Sequence, residues 1–189
     1  AARNIFIQCG YPKNELVNVE ALRYLHLNSL IENKERLRNN SSTIRLLVLG
    51  EYLFDNTHYQ MCILEKAFPR FPKNIKLLVK PHPNCPIIPS EYPGLNMDVT
   101  MDSISSLLPK CNIAYTSNVT SAAIDAYCAN VPVISALNPE TLNMSPLMGV
   151  EGVEFVSNAS EFVNAFEKLK SVNNNKIKPE DIFWLDPSL

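Results

Sequence analysis

Short apolar runs alternate with helix-like segments along most of the chain. From Thr43 onward, runs rich in Ile, Leu and Val are followed by stretches whose apolar residues recur every three or four positions. The runs are typical of strands buried on both faces, and the stretches are typical of helices with one apolar side. The predicted strands are 44–49, 75–80, 96–99, 113–115, 131–134 and 152–156, and the predicted helices are 56–68, 103–108, 118–129 and 157–171.

This alternation predicts an α/β fold, a Rossmann-like open parallel sheet with helices on both faces. It divides the chain into three parts. Residues 1–43 are an N-terminal connecting segment with a strand at 4–9, a turn at 10–14 and a helix at 19–37. Residues 44–172 are the main domain. Residues 173–189 are a C-terminal tail, and its apolar residues Phe183, Trp184 and Leu185 are expected to pack against protein.

Composition narrows the classes of function. The 189 residues carry a net charge of −2, so neither a general polyanion-binding surface nor a nucleic-acid partner is expected. No apolar stretch approaches the length of a membrane span, which leaves peripheral membrane association as the open alternative. The five cysteines include no CxxC pair, so free thiols in a reducing compartment, the cytoplasm, are expected. No spacing of acids, histidines or cysteines predicts a metal site.

The strand at 75–80 runs into the sequence Lys80-Pro81-His82-Pro83. Each proline fixes its own backbone and keeps the preceding residue extended, so Lys80 and His82 are held at the carboxyl end of this strand. Ligands of open α/β sheets bind at that end. His82 can donate a hydrogen bond to a phosphate oxygen, and Lys80 is either a second ligand contact or a solvated end of the strand.

A second hydrophilic segment, Ser117 to Ser121, follows the strand at 113–115 and opens the next predicted helix. Ser117 or Asn118 alone suffices as a helix N-cap, yet Thr120 and Ser121 add two more hydroxyls. Backbone N–H groups at the start of a helix, together with small hydroxyls, form a common phosphate site. The segment is therefore predicted to bind phosphate.

Three further positions are candidates for ligand contacts or for their support. Asp125 lies one helical turn after Ser121 and can accept hydrogen bonds from a ribose diol, the alternative being an exposed helix charge. Asn130 stands where this helix is predicted to end, because Asn tolerates the left-handed conformation of a helix C-terminus. Gly50 ends the first strand of the main domain and allows close backbone approach, and Glu51 beside it is a candidate contact to a sugar or an acceptor.

These motifs resemble the C-terminal donor-binding domain of GT-B glycosyltransferases. The resemblance covers residues 44–156 and rests on the order and spacing of Lys80–Pro83, Ser117–Ser121 and the sequence Asp125-xxxx-Asn130-x-Pro132-Val133-Ile134. It is strongest to His-Pro-type enzymes of bacterial surface-carbohydrate and capsule synthesis, such as sialyl- and Kdo-transferases and the glycerophosphate transferases of teichoic acid synthesis. In the last group, a stretch similar to residues 10–14 precedes the donor domain. This chain departs from the pattern at Asp125, where Glu is usual, and at Asn130, where Gly is usual.

The resemblance implies transfer of a sugar from a nucleotide-activated donor to a carbohydrate acceptor of capsule or lipopolysaccharide, without a metal or other cofactor. His82 would be the catalytic residue, contacting the donor phosphate and assisting the departing nucleotide. Ser117, Thr120 and Ser121 would hold the phosphate, and Asp125 would hold the ribose. The implied binding set is Gly50, Glu51, Lys80, Ser117, Asn118, Thr120, Ser121 and Asp125. A CMP-linked donor is the first choice, with UDP, GDP or CDP-glycerol left open.

A GT-B enzyme has two Rossmann-like halves, and only one of them fits this chain. The expected partner is therefore an N-terminal domain that supplies the base activating the acceptor. Two alternatives stay open. One is a UDP-sugar 2-epimerase-like enzyme of related fold, which would need further acids and histidines. The other is a non-catalytic module that binds a nucleotide sugar.

Overall fold

The computed structural model describes residues 2–17, 19 and 43–170, and its core is a six-stranded parallel sheet. The strands are β1 (Ile44–Leu49), β2 (Ile75–Lys80), β3 (Met97–Val99), β4 (Ile113–Ser117), β5 (Val133–Ala136) and β6 (Val153–Val156). Their spatial order is β3-β2-β1-β4-β5-β6. The first strand, β1, lies near the centre, and β2 and β3 follow it outward on one side. The strands β4, β5 and β6 then follow outward on the other side, as in a doubly wound Rossmann-type sheet. The predicted fold class is confirmed.

The α-helices of the described residues are α1 (Ala2–Gln8), α2 (Phe54–Ala67), α3 (Ile104–Leu107), α4 (Ala122–Cys128) and α5 (Ala159–Lys170). Of these, α2 to α5 cover the two faces of the sheet. The helices α2 and α5 share one apolar core with alternate residues of the strands, and α3 and α4 share the second core on the opposite face. In the first core, the fully buried ring of Phe162 meets Tyr115 edge-on, with ring centroids 4.4 Å apart. Burying one such side chain contributes about 1.5–3 kcal/mol.

The strands shorten toward both edges of the sheet. The inner strands β1 and β2 have six residues each, whereas the edge strands β3 and β6 have three and four. Each edge strand carries one acid, Asp98 in β3 and Glu154 in β6. Glu154 forms an ion pair with Lys168 of α5.

The connection from β2 to β3, residues 81–96, contains no α-helix. Its prolines oppose helix formation, and a single 3-10 turn at Pro89–Glu91 interrupts an otherwise irregular loop. The loop is nevertheless anchored, because Ile87 and Tyr92 are buried. The loop is therefore packed against the rest of the domain, and His82 lies in it just after the carboxyl end of β2.

The N-terminal prediction of a strand at 4–9 is wrong, since residues 2–8 form α1. The apolar run there is short, and short runs fit a helix as well as a strand. The helix ends in a Schellman motif, in which Gly10 has φ 85° and the N–H groups of Gly10 and Tyr11 donate to the carbonyls of Ile7 and Phe6. The predicted helix at 19–37 lies outside the described residues, apart from position 19, and so does the predicted tail at 173–189.

Most other boundaries agree with the predictions to within about two residues, which is the usual uncertainty of helix ends. The exception is α4, which begins at Ala122 rather than near residue 118. Residues 118–121 form an irregular turn after β4, because Ser117 still belongs to the strand. The five cysteines are free thiols, three of them buried. No helix in the described ranges is long and apolar enough to cross a membrane.

Candidate functional site at the carboxyl edge of the sheet

The carboxyl ends of three central strands lie level with one another. Leu49 at the end of β1 is in register with Lys80 of β2 on one side and with Thr116 of β4 on the other. Two strand spacings, about 10 Å, therefore separate the loop that carries His82 from the turn at 118–121. Both follow the same edge and flank the end of β1, which is also where the strand order reverses. Ligands of open α/β sheets bind at this point.

His82 lies in a tight turn that fixes its ring. The carbonyl of His82 accepts a hydrogen bond from the N–H of Cys85 at 2.9 Å, and Pro83 occupies the second position of the turn, which proline favours. The N–H of Asn84 donates to Nδ1 of the ring at 3.2 Å. Since Nδ1 accepts, the neutral ring carries its hydrogen on Nε2. The half-buried His82 thus offers an Nε2–H donor at the sheet edge.

Gly50 allows the His82 loop to lie close against β1. A Cβ at position 50 would be 3.3 Å from Cα of Pro81, 3.4 Å from the backbone nitrogen of His82 and 3.2 Å from Cδ1 of Ile87. The N–H of Gly50 also donates to the carbonyl of Lys80 at 2.9 Å. The predicted close approach of backbone at Gly50 is therefore present, and the approaching group is the turn that holds His82.

Glu51 is buried, with 3% of its surface exposed, and its carboxylate is held by neutral groups. The amide of Asn56 donates to both carboxylate oxygens, at 3.0 and 3.2 Å. The hydroxyl of Ser117 donates a short hydrogen bond to Oε2. Hydrogen bonds to a buried carboxylate are required because an unpaired one is costly. Glu51 therefore joins the end of β1 to the end of β4, and in this arrangement its carboxylate is buried and not exposed at the edge of the sheet.

The hydroxyls of 117–121 have different surroundings. Ser117 is 2% exposed and committed to Glu51, whereas Thr120 and Ser121 are half-buried at the surface of the turn. Oγ1 of Thr120 accepts from the N–H of Ala122 at 3.2 Å, at the start of α4. The amide of Asn118 donates to the carbonyl of Leu142 at 3.1 Å and ties the turn to the loop between β5 and β6. Thr120 and Ser121 are thus the hydroxyls within reach of a ligand.

Asp125 lies in the first turn of α4 and is 8% exposed, so it is not a solvated helix charge. Its charge lies near the thiol of Cys128. Burial, and to a smaller extent this charge, raises the pKa of Cys128 to about 12. Asn130 follows the end of α4 with φ 56°, as expected for a left-handed C′ residue.

The structure adds three residues that the sequence did not single out. Tyr52 lies next to His82, with ring centroids 6.2 Å apart and an interplanar angle of 63°. Asn56 holds Glu51, as described above. Gln60 of α2 donates through its amide to the carbonyl of Leu49 at the end of β1 and to the carbonyl of Tyr115 in the middle of β4. Only Tyr52 had a sequence signal, its position three residues after the end of a central strand.

The arrangement can bind an anion and can stabilise charge on it. An imidazole N–H, the charge of Lys80 at the end of β2 and two surface hydroxyls lie along one edge, with no bulky side chain at position 50 between them. A hydrogen bond to a charged group is worth about 1.5–3 kcal/mol. Within the described residues, no group of three His, Cys, Asp or Glu side chains is placed to hold a metal ion.

Comparison with known proteins gives structural relatives only. No model of a protein family and no curated protein sequence matches the chain. UDP-GlcNAc 2-epimerase from Methanocaldococcus jannaschii matches with TM-score 0.61 and 12% identity, over 92% of this chain and 54% of that one. The glycosyltransferase SnogD from Streptomyces nogalater matches with TM-score 0.53 and 13% identity, over 71% and 37%. ADP-heptose LPS heptosyltransferase II from E. coli matches with TM-score 0.50 and 10% identity, over 76% and 51%.

The chain thus spans between 37% and 54% of the length of these three structures. At such low identities the likeness establishes architecture and does not transfer an activity. The strand order, the parallel sheet and these matches together show that the chain has the Rossmann-like fold of a GT-B-type domain.

Proposed function

We propose that the chain is the donor-nucleotide-binding domain of a glycosyltransferase that builds bacterial surface polysaccharide, in capsule or lipopolysaccharide. The observation that carries this proposal is the hydrogen bond from the N–H of Asn84 to Nδ1 of His82, which leaves Nε2 as the donor of the neutral ring. His82 lies at the carboxyl edge of the sheet, beside the point where the strand order reverses. The donor is a nucleotide-activated sugar, CMP-linked as first choice, with UDP, GDP and CDP as the other candidates.

Each residue of the site has a role in the proposal. The ring of His82 donates through Nε2 to the donor phosphate and stabilises the charge that develops as the nucleotide departs. Thr120 and Ser121 hydrogen-bond the phosphate from the other side of β1, and Lys80 adds positive charge at the end of β2. Asp125 accepts from the ribose. Ser117, Asn118, Gly50 and Glu51 keep the two sides of the site in place through the contacts described above.

The complete enzyme includes a second, N-terminal domain that binds the carbohydrate acceptor and supplies the base. This proposal is consistent with the short coverage of the structural neighbours. It places the enzyme in the cytoplasm, where nucleotide sugars are made, and gives it no resident metal. The isolated chain should therefore bind the nucleotide but transfer its sugar poorly or not at all.

The experiment is a thermal-shift panel of the chain with CMP, UDP, GDP and CDP, followed by calorimetry with the nucleotide that stabilises it. A ligand at a hundredfold excess over Kd adds about 2.7 kcal/mol of stability, which is readily seen. We expect one nucleotide to stand out and His82→Ala to weaken its binding by roughly 10- to 100-fold, as for a lost hydrogen bond to a charged group. The control is His58→Ala, since His58 is an exposed histidine on α2 whose ring hydrogen-bonds Tyr92.

Two outcomes contradict the proposal. One is that none of the four nucleotides raises the melting temperature. The other is that His82→Ala binds the nucleotide as tightly as the unchanged chain. With the N-terminal domain restored, the alanine variant should lose turnover more than donor affinity, because the proposed hydrogen bond strengthens as the phosphate departs.

A second candidate function is that of a UDP-sugar 2-epimerase-like enzyme. The epimerase match favours it, with TM-score 0.61 over 92% of this chain. Such an enzyme changes UDP-GlcNAc without any acceptor, so NMR of the sugar after incubation with the complete protein separates the two. Inverted stereochemistry at C2 in the absence of an acceptor supports the epimerase, and an unchanged sugar supports the transferase.

A further inference from the structure

We propose that Tyr52 forms the subsite for the sugar ring of the donor. This inference rests on the proposed function and extends it from the nucleotide to the group that is transferred. Tyr52 lies in the short connection between β1 and α2, immediately after the buried Glu51. Its side chain is 58% exposed, and its ring lies 6.2 Å from that of His82 at an angle of 63°.

The position of the sugar follows from connectivity. In a nucleotide sugar, the anomeric carbon is joined through one oxygen to the phosphate that His82 contacts. The first atoms of the sugar must therefore lie beside the imidazole ring. Among the residues that the structure describes, Tyr52 is the aromatic side chain in ring contact with His82, so a sugar bonded to that phosphate would lie within reach of its ring.

The chemistry of tyrosine suits a pyranose. The C–H groups on one face of a sugar ring are weakly positive and pack against the negative face of an aromatic ring. The hydroxyl of Tyr52 can in addition hydrogen-bond the polar rim of the sugar. A ligand that covers the exposed ring of Tyr52 gains the burial of its apolar surface.

The neighbouring exposed apolar residues do not compete for this role. Phe54 is 60% exposed, but its ring stacks on His58, with centroids 5.7 Å apart and an interplanar angle of 4°. His58 in turn hydrogen-bonds Tyr92 in the loop between β2 and β3. Phe54 thus belongs to a separate aromatic cluster and makes a matched control for Tyr52, two positions away and equally exposed.

The test compares two ligands on the same chain by calorimetry, the bare nucleotide found in the panel and its nucleotide sugar. We expect Tyr52→Ala to lower the affinity for the nucleotide sugar roughly 2- to 10-fold, which is the effect of losing one aromatic contact. Its affinity for the bare nucleotide should stay within about twofold of that of the unchanged chain. Tyr52→Phe should keep the stacking part of the effect. Phe54→Ala should bind both ligands as the unchanged chain does. Because both side chains are exposed, each variant is expected to fold, which near-UV circular dichroism checks.

Three outcomes overturn the inference. If Tyr52→Ala weakens the bare nucleotide as much as the nucleotide sugar, Tyr52 shapes the phosphate site and does not contact the sugar. If it weakens neither, the sugar lies elsewhere, while the proposed function stands. If the unchanged chain binds neither ligand, the proposed function fails and the sugar subsite fails with it.

Discussion

Gly50 and Glu51 determine how the two sides of the candidate site are spaced. Gly50 has no side chain, and the turn that carries His82 packs into the space this leaves. Glu51 has a long side chain that reaches across to Ser117 at the end of β4. One residue therefore sets the position of the imidazole, and the next sets the position of the hydroxyl turn. The end of β1 therefore holds the His82 turn and the hydroxyl turn at a fixed distance from each other.

Adding a methyl group at position 50 tests this arrangement. Gly50→Ala brings a Cβ to 3.3 Å from Cα of Pro81, so the His82 turn has to shift by a few tenths of an ångström. Crowding of this kind typically costs about 1–3 kcal/mol, and nucleotide affinity should fall with it because His82 moves. Urea unfolding and calorimetry measure the two effects. Ile87→Val removes the Cδ1 atom 3.2 Å from the new Cβ, so the double variant should regain part of the stability. If Gly50→Ala binds the nucleotide as tightly as the unchanged chain does, Gly50 does not determine the geometry of the site.

Burial of Cys128 predicts a loss of stability in alkali. The pKa of this thiol is raised by burial from 9.0 to about 12, so ionisation is harder in the folded than in the unfolded chain. The contribution of the neutral thiol to the stability of the folded chain is complete below pH 9 and is lost as the pH rises toward 12. Burial likewise raises the pKa of Tyr92 from 10.0 to about 12, which acts in the same direction.

The measurement is the free energy of urea unfolding at several pH values between 8 and 11. The unchanged chain should lose stability across this range, and Cys128→Ala should lose less of it, although it starts lower because it leaves a small cavity. Cys9→Ala is the control, since Cys9 is exposed and its removal should leave the pH profile as it was. A Cys128→Ala profile parallel to that of the unchanged chain would remove the thiol as a cause.

At the scale of elements, the ends of the helices tie the site to the sheet. The first turns of α2 contribute Asn56, which holds Glu51, and Gln60, which hydrogen-bonds the end of β1 and the middle of β4. The short helix α4 ends in a Schellman motif, in which the N–H groups of Asn130 and Val131 donate to the carbonyls of Tyr127 and Ala126. This motif fixes where α4 stops and therefore how the chain enters β5.

The left-handed residue of that motif gives a prediction at the scale of elements. Asn130 has φ 56°, and a residue with a Cβ and no amide side chain pays about 1–2 kcal/mol for this conformation. Asn130→Ala should therefore lower the free energy of unfolding by about 1 kcal/mol, whereas Asn130→Gly should remain close to the unchanged chain. Urea unfolding of the two variants side by side provides the comparison. Equal losses would show that the side chain of Asn130 matters more than its backbone.

At the scale of the whole molecule, the sequence predicted the layered architecture well. The runs at 44–49 and 113–115 indicate strands clearly, because parallel strands covered on both faces consist mostly of apolar residues. The order of the elements then leaves few topologies open. The short run near the N-terminus failed because three apolar residues fit a helix as well as a strand.

The details of the site could not be predicted from the sequence, because they depend on contacts between distant segments. Ser117 looked like a helix cap, but its hydroxyl bonds a carboxylate 66 positions away in the chain. Nothing in the local sequence shows that Gly50 faces Pro81, or that Tyr52 adjoins His82. These contacts arise only when β2, β1 and β4 align. The sequence identified which residues are chemically able to act, and folding decides which of them reach a ligand.

The tapered sheet has a consequence for behaviour at high concentration. An exposed edge strand offers free amide and carbonyl groups to which another molecule can add a strand of its own. Here β3 and β6 offer only three and four residues. The exposed carboxylate of Asp98 lies in β3, and Glu154 in β6 is paired with Lys168. A strand added at either edge would have to cover a charged group, the carboxylate of Asp98 or the ion pair of Glu154 and Lys168. The fold thus discourages its own polymerisation, and replacing both acids with valine should make the protein prone to fibre-like aggregation.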